Sequence, residues 1–128
     1  MPLLAPISVG ELLDKIGILE LKAEAIAEPA RRANVMRELA ELRAVRDSDI
    51  AASPLLEALC TELKAVNRLL WQVEDALRER ERDGCFDASF VELARSVYRH
   101  NDRRAAIKRR INELTGSELI EEKSHPPA

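Results

Sequence analysis

The feature that most constrains this chain is an unbroken apolar repeat in its middle. Leucine and valine alternate spacings of three and four residues over seven positions: Leu56, Leu59, Leu63, Val66, Leu70, Val73 and Leu77. This is a heptad seam, the pattern of helices that pack side chains of one helix between those of another, as in coiled coils. Ser53 and Pro54 can begin the helix and Gly84 can end it, so we predict a helix of about 30 residues reaching about Arg82.

A second long helix is predicted directly after the first. Asp87 can cap its start and Gly116 can close its end. Its apolar seam consists of Phe90, Leu93, Val97, Ile107, Ile111 and Leu114. Because only a short turn separates the two long helices, we expect them to lie antiparallel as a hairpin.

A helix near the N-terminus is apolar on more than one side. Ser8 and Glu11 are spaced as a capping box, in which Ser8 caps the backbone of Glu11 and Glu11 reaches back to Ser8. The helix behind them is predicted to run to about Glu28. Three apolar residues lie off its main stripe, namely Ile18, Leu21 and Ala25. The helix is therefore either central in the fold or used to pair subunits, and these three residues are the candidate interface.

The segment between this helix and the long hairpin holds one more predicted helix. Pro29 can occupy its first turn, where the missing N–H of proline costs nothing. The stretch from Arg46 to Ser53 has no apolar period and is interpreted as a loop.

Composition agrees with a single helical domain. Apolar residues make up 46% of the 128 residues, charged residues 34% and aromatic residues 3%, which favours helices over sheets. We predict one all-α domain over residues 1–128, an antiparallel bundle of about four helices. Residues 1–7 and 118–128 are expected to be extended or frayed. The expected partner is a second copy of the chain, as a homodimer, or another helical protein.

Several classes of function are disfavoured by charge and motif content. The net charge of −3 provides no bulk attraction to nucleic acid or membranes. No apolar run approaches the roughly 20 residues of a membrane span, and the first residues lack signal-peptide features, so a cytoplasmic location is expected. Nucleotide-binding, metal-binding and catalytic motifs are missing from the sequence. We therefore expect no metal, no cofactor and a non-enzymatic role.

The two cysteines, Cys60 and Cys85, have no metal-ligand spacing. A lone pair of cysteines in a helical protein usually stays reduced, and a disulfide between them is left open as an alternative.

Polar residues interrupt the apolar pattern of the last helix. The heptad places Arg104 in the seam, and Tyr98, Asn101 and Lys108 in a second seam beside it. Buried cations need partners, because an unpaired interior charge costs several kcal/mol, on the order of 3–5. Candidate partners lie on the first helix, where Glu20 has Asp14 nearby, and on the third helix, at Glu74. Glu20 or Glu74 facing Arg104 or Lys108 would form a paired internal network.

Two interpretations of this polar seam stay open. In the first, which we favour, ion pairs fix helix register and partner choice. In the second, the cations form a pocket for a small anionic ligand, a carboxylate or a phosphate. The candidate ligand-binding residues are Tyr98, Asn101, Arg104, Lys108, Glu20, Glu74, Arg95 and Trp71.

Clustered arginines also give the last helix a basic face. Arg95, Arg99, Arg103 and Arg110 share one outward side, which could follow a nucleic-acid backbone. Aromatic residues do not interleave with them, and the rest of the chain is acidic. We favour a solvated face and expect no nucleic-acid partner.

Several long stretches resemble a family of short bacterial helical proteins of unknown function. They are residues 7–16, 18–22, 70–75, 90–98, 101–102 with 104, 107–108, 111–114, and 117–118 with 121–124. The resemblance implies no activity, but it selects polar residues that helix packing alone does not require: Asp14, Lys15, Glu20, Lys22, Glu74, Asp75, Arg95, Tyr98, Asn101, Asp102, Arg104 and Lys108. This selection overlaps the second seam and implies a shared polar site. Where the family pattern has an aromatic residue after Glu-Glu-Lys-Ser, this chain has His125.

The first helix is also similar, at the level of the fold, to the opening of helical chorismate mutases. The similarity lies in Asp14, Lys15 and the later Lys22. It implies a dicarboxylate held by arginine and lysine side chains inside a helical bundle. Under this hypothesis the small anionic ligand would be the substrate of an enzyme.

Overall fold

The computed structural model describes residues 1–125, which form four α-helices joined by short connections. The helices are α1 (Val9–Ala25), α2 (Pro29–Asp49), α3 (Pro54–Arg82) and α4 (Ala88–Thr115). The described residues contain no β-strand. The predicted all-α fold of about four helices, with a long hairpin in the C-terminal half, is confirmed. The last three residues of the predicted tail, 126–128, lie outside the described residues.

Capping residues mark the helix ends that the sequence predicts well. The side chains of Ser8, Ser53 and Asp87 each accept a backbone N–H of the first helical turn over 3.1 Å. Gly84 and Gly116 have φ angles of +64° and +65° just after α3 and α4, a left-handed backbone that glycine adopts without a steric cost.

Two predicted boundaries are corrected by the structure. Helix α1 ends at Ala25 instead of about Glu28, because the Glu28 carboxylate caps α2 by accepting the N–H groups of Ala30 (3.0 Å) and Arg31 (2.8 Å). Helix α2 continues to Asp49, and the predicted loop is shortened to residues 50–53. Ile50, the residue that follows α2, packs against the core.

Helix α1 is the centre of the fold, since it packs against each of the other three helices. It runs antiparallel to α4, with Gly10 beside Asn112 and Asp14 beside Arg104. Its apolar residues are buried on more than one side, as the sequence predicts for a central helix.

The hydrophobic core occupies only one end of the α3–α4 hairpin. Its buried side chains come from α1, from Leu39 of α2, from the first half of α3 and from the last turns of α4. Every residue from 68 to 106 is at least partly exposed. Helix α1 ends near Arg68, where Glu24 pairs with that side chain over 3.2 Å. Residues 68–106 form a two-helix hairpin arm, most of which extends past α1, while Arg104 near its end still contacts Asp14.

Candidate functional site

Asp14 is the centre of a polar network inside the bundle. Its side chain has no exposed surface. The carboxylate accepts hydrogen bonds from Asn67 Nδ2 (2.8 Å), from Arg104 Nε (3.2 Å) and from a second guanidinium N–H of Arg104. The Nζ atom of Lys108 lies 3.7 Å away. One buried carboxylate of α1 thus holds side chains of both α3 and α4.

Lys108 is the second buried member of this network. Its side chain is 7% exposed, and its Nζ atom lies 2.8 Å from Glu11 Oε2 and 3.0 Å from Glu121 Oε1. Burial by itself would lower the pKa of Lys108, but hydrogen bonds to Glu11 and Glu121 outweigh burial and raise the pKa above its ordinary value. Lys108 is therefore a stable cation.

Arg104 is held in the same way. Burial again opposes its charge, and the hydrogen bonds from its guanidinium group to Asp14 raise the pKa of Arg104 overall. Both cations of the predicted polar seam therefore have the carboxylate partners that interior charges require.

The identity of those partners differs from the prediction. Asp14, Glu11 and Glu121 pair with the two cations, instead of Glu20 or Glu74. Glu20 lies six residues beyond Asp14, which is about 240° around the helix. It therefore faces another side, where it contacts Arg43 (2.7 Å) and Lys64 (3.6 Å).

Glu11 also departs from its predicted role in the capping box. Ser8 does accept the N–H of Glu11, but the Glu11 carboxylate is directed to Lys108. An ammonium group is a stronger hydrogen-bond donor than a backbone N–H. The first turn of α1 is thereby joined to α4.

The charges in this network leave it slightly acidic. Three carboxylates (Glu11, Asp14 and Glu121) surround two cations (Arg104 and Lys108), so the net charge is −1. The seam is filled by ion pairs, and a further anion at this place would meet a net negative charge.

A groove of about 580 Å³ opens where the hairpin arm leaves α1, and we call it the arm groove. It is lined by Ile18 and Leu21 of α1, Arg31 of α2, Asn67, Leu70, Trp71, Glu74, Asp75 and Arg78 of α3, and Val97, Asn101 and Arg104 of α4. Four predicted ligand residues and two predicted interface residues thus meet on one surface. The sequence analysis treats these two sets separately, one as ligand-binding residues and the other as interface residues.

The other predicted site residues lie elsewhere. Tyr98 is 47% exposed. Arg95 lies 3.9 Å from Glu92, and Ala25 is exposed on a smaller cavity of about 270 Å³ that also borders Leu21 and Trp71. Leu21 is 5% exposed in the single chain, so it forms the floor of the groove and not an open face.

Sequence reasoning underrated Asp14, although a signal for it exists. Gly10, Asp14, Gly17 and Leu21 recur at helical spacing along one side of α1, and all four are buried. Two glycines beside an aspartate indicate a side that approaches other helices closely. Helical periodicity gives no signal for Glu121, because it lies in an irregular tail. The family resemblance covers Glu121 but assigns it no role.

The basic face of α4 is partly neutralised within the chain. Arg99 pairs with Glu92 over 2.7 Å, and Arg110 lies 3.9 Å from Glu62 of α3. Such exposed pairs contribute little stability, but they reduce the positive potential that a nucleic-acid backbone would meet.

Metal binding, membrane insertion and disulfide formation have no structural support in the described part of the chain. Among residues 1–125, no three metal-ligating side chains converge, and no helix has the length and apolar character needed to cross a membrane. Cys60 and Cys85 are both free. Helix α3 continues from Cys60 to Arg82, a rise of about 33 Å, so these two thiols are too far apart for a disulfide.

Comparison with known proteins gives a family without an activity. Neither a curated protein nor a solved structure matches the chain, so nothing in them supports the likeness of α1 to chorismate mutases. The model of a family of unknown function, DUF6165, matches residues 3–127. That range contains every stretch on which the resemblance to a family of unknown function rests. The chain therefore belongs to the family of unknown function DUF6165.

Proposed function

We propose that this protein is a non-enzymatic helical module that self-associates through its hairpin arm, with the arm groove as the docking surface. The observation that carries the proposal is that no residue from 68 to 106 is fully buried, although the arm has an apolar seam. Its members are Leu70, Val73, Leu77, Phe90, Leu93 and Val97, all half-buried. Covering such a seam stabilises an assembly by roughly 25 cal/mol per Å² of apolar surface removed from water.

The charge pattern of the arm groove supports a second copy of the chain as the occupant. Glu74 and Asp75 precede Arg78 by three to four residues, so acid and base lie on neighbouring positions of α3. Within the described residues, none of the three forms an ion pair in the single chain. A two-fold antiparallel pairing would place the acids of one copy against Arg78 of the other, twice.

Hydrophobic groups in the same groove would anchor the contact. Trp71 is half-buried between the arm groove and the smaller cavity beside it. Aromatic side chains that already lie in a depression lose little conformational freedom on binding and are frequent at the energetic centre of interfaces. Ile18 and Leu21 provide an apolar floor beneath it. Two of the three interface candidates on α1, Ile18 and Leu21, line this groove, and the third, Ala25, borders the smaller cavity.

Sedimentation velocity with charge-reversal variants tests this arrangement. In a two-fold pair, Glu74→Arg creates two like-charge contacts, and we expect it to weaken self-association at least tenfold, about 1.4 kcal/mol. Arg78→Glu should weaken it similarly. The double variant Glu74→Arg/Arg78→Glu exchanges the charges and should recover most of the affinity.

Glu79→Arg is the matched control, since Glu79 is exposed on the same helix outside the groove. It should leave self-association within about twofold of the wild-type protein, because exposed charges away from a contact act only through screened forces. A wild-type chain that stays strictly monomeric at high concentration would contradict self-association. A double variant no better than the single ones would contradict the two-fold arrangement.

A second candidate function is the binding of a small anionic ligand in the arm groove. It is favoured by three arginines among the residues that line the groove, Arg31, Arg78 and Arg104. Glu74 and Asp75 line the same groove, and their negative charges disfavour an anionic ligand. Thermal stabilisation by millimolar phosphate or a dicarboxylate, lost in Arg78→Gln, would support this candidate. No stabilisation by either anion would reject it.

A further inference from the structure

The segment after α4 turns back along that helix. Gly116 adopts its left-handed conformation, and the Oγ atom of Ser117 then accepts the N–H of Val9 over 3.1 Å. Three consecutive residues of the segment make ion pairs to α4, each with a closest separation of 3.0 Å: Glu121 with Lys108, Glu122 with Arg109 and Lys123 with Asp102. Charged contacts thus hold an irregular tail against a helix.

These charged contacts span a cavity, and apolar packing adds little to them. A space of about 660 Å³ lies between the tail and α4, lined on the α4 side by Asn101, Arg104, Lys108 and Arg109 among others. The apolar residues of the tail, Leu119 and Ile120, are 46% and 44% exposed. Ion pairs that involve exposed side chains stabilise only weakly, so the tail can be displaced.

The carboxylates around Lys108 come from two different parts of the chain. Glu11 and Asp14 belong to α1, the central helix of the fold, and hold the ammonium group from the core side. Glu121 approaches the same Nζ atom from the tail, and its side chain is 53% exposed. Release of the tail would leave Lys108 fixed in position, with one hydrogen-bond direction free toward the cavity.

We propose that Lys108 and Arg109 form a binding site for an extended acidic peptide segment of a partner protein, with two consecutive carboxylates, and that Glu121-Glu122 of this chain occupies the site until such a segment displaces it. The tail is the structural basis for the ligand class, because its own adjacent carboxylates contact these adjacent cations at 3.0 Å each. Lys108 and Arg109 lie outside both the hairpin arm and the arm groove, although Asn101 and Arg104 line the arm groove and this cavity alike. The peptide test therefore probes two cations that self-association does not use.

Competition by the tail sets the size of the expected effect. A tethered segment acts at an effective concentration on the order of millimolar, so a free peptide of similar intrinsic affinity is largely excluded from the wild-type protein. Replacing Glu121 and Glu122 by glutamine removes the charges of the competitor and keeps the full chain. The site on α4 is then available without any change to α4 itself.

Fluorescence anisotropy with a labelled peptide provides the test. The probe has the sequence of residues 117–125, and it is titrated with the wild-type chain and with Glu121→Gln/Glu122→Gln at low salt. We expect the variant to bind the peptide at least tenfold more tightly than the wild-type protein does. Affinity should fall as salt is raised, because screening weakens exposed charge pairs.

Two controls make the result specific. A peptide with glutamine at both acidic positions should not bind the variant. Adding Arg109→Gln to the variant should weaken binding of the acidic peptide at least fivefold, whereas adding Arg103→Gln, on an exposed residue outside this cavity, should not. Circular dichroism verifies that each variant is folded. Equal binding of the acidic and neutral peptides, or no binding of the acidic peptide to the folded variant, would overturn the proposal.

Discussion

The backbone N–H of Gly10 donates a hydrogen bond to Oδ1 of Asn112 over 2.7 Å, and both residues are buried. This bond joins the first turn of α1 to the last turns of α4. A Cβ atom at Gly10 would lie 2.7 Å from the carbonyl oxygen of Lys108 and 3.0 Å from Asn112 Oδ1. Glycine at this position therefore allows the close approach of two helices that carry Asp14, Arg104 and Lys108.

Replacing Gly10 by alanine should destabilise the protein by about 1–3 kcal/mol. The added methyl group meets a backbone oxygen, which cannot move aside as a flexible side chain can, so α1 must shift away from α4. Equilibrium unfolding in urea measures the effect as a lower midpoint.

Gly17→Ala is the matched control for that measurement. The nearest atom to a Cβ at Gly17 is Lys64 Cβ at 3.9 Å, an ordinary contact. Since alanine favours the helix over glycine by about 0.5–1 kcal/mol, Gly17→Ala should stabilise the protein slightly. Equal losses in the two variants would contradict the role given to Gly10.

Replacing Asp14 by asparagine should reduce the free energy of unfolding by about 3 kcal/mol. The substitution keeps the shape of the side chain but removes the buried charge that faces Arg104 and Lys108, and breaking a buried pair leaves an uncompensated charge. Glu79→Gln, on an exposed residue without a role in the network, should change stability by less than about 0.5 kcal/mol. If both variants unfolded at the same denaturant concentration, Asp14 would not be the centre of the network.

Stability should fall in alkaline solution as Lys108 loses its proton. Its folded-state pKa is raised above the unfolded value, so the folded protein binds this proton more tightly. The stabilisation is fully present below the unfolded pKa, about 10.5, and is lost as the pH rises through the folded pKa. Unfolding midpoints measured from pH 8 to pH 11.5 should show the loss.

Lys108→Arg separates this contribution from other groups that titrate at high pH. A guanidinium group stays charged throughout that range, so the variant should lose less stability between pH 10 and pH 11.5 than the wild-type protein. Its absolute stability can differ because arginine is larger, and the comparison therefore concerns the slope alone. Parallel curves for the two proteins would show that Lys108 does not cause the alkaline loss.

The two thiols should react with alkylating reagents at different rates. Burial raises the pKa of the Cys60 thiol, which lowers the fraction of reactive thiolate at neutral pH. Cys85 lies in the turn between α3 and α4, outside the core. Mass spectrometry of the iodoacetamide reaction should find Cys85 modified first. The variant Cys85→Ser should keep only a slow phase, and a fast phase in it would be evidence against a protected Cys60.

The helices can be predicted from the sequence because apolar spacing and capping residues are short-range patterns. The spacing from Leu56 to Leu77 predicts α3, and Ser53 and Asp87 predict its start and that of α4 to the residue. The central position of α1 follows from apolar residues on more than one of its sides. Where no cap or period was recognised, as around Arg46, the predicted boundary of α2 was wrong.

The composition of the polar site depended on the tertiary structure. The heptad placed Arg104 and Lys108 against the interior, so the need for carboxylate partners could be predicted from sequence alone. The sequence could not predict which carboxylates pair with the two cations, because the pairing depends on the rotation of α1 and on the path of the tail. Asp14 and Glu121 are 107 residues apart in the chain and meet around the same ammonium group.

The sequence by itself therefore determined an all-α chain with a long C-terminal hairpin and two interior cations. Periodicity and capping act over three to seven residues, and these features need nothing longer. The tertiary structure decided that the cations are neutralised within the chain, and that two predicted residue sets meet in one groove beside an arm without a buried residue. The first outcome depends on the rotation of α1 and the path of the tail, and the second on how far α1 reaches along α3 and α4. Both are relationships between helices and not a pattern along one of them.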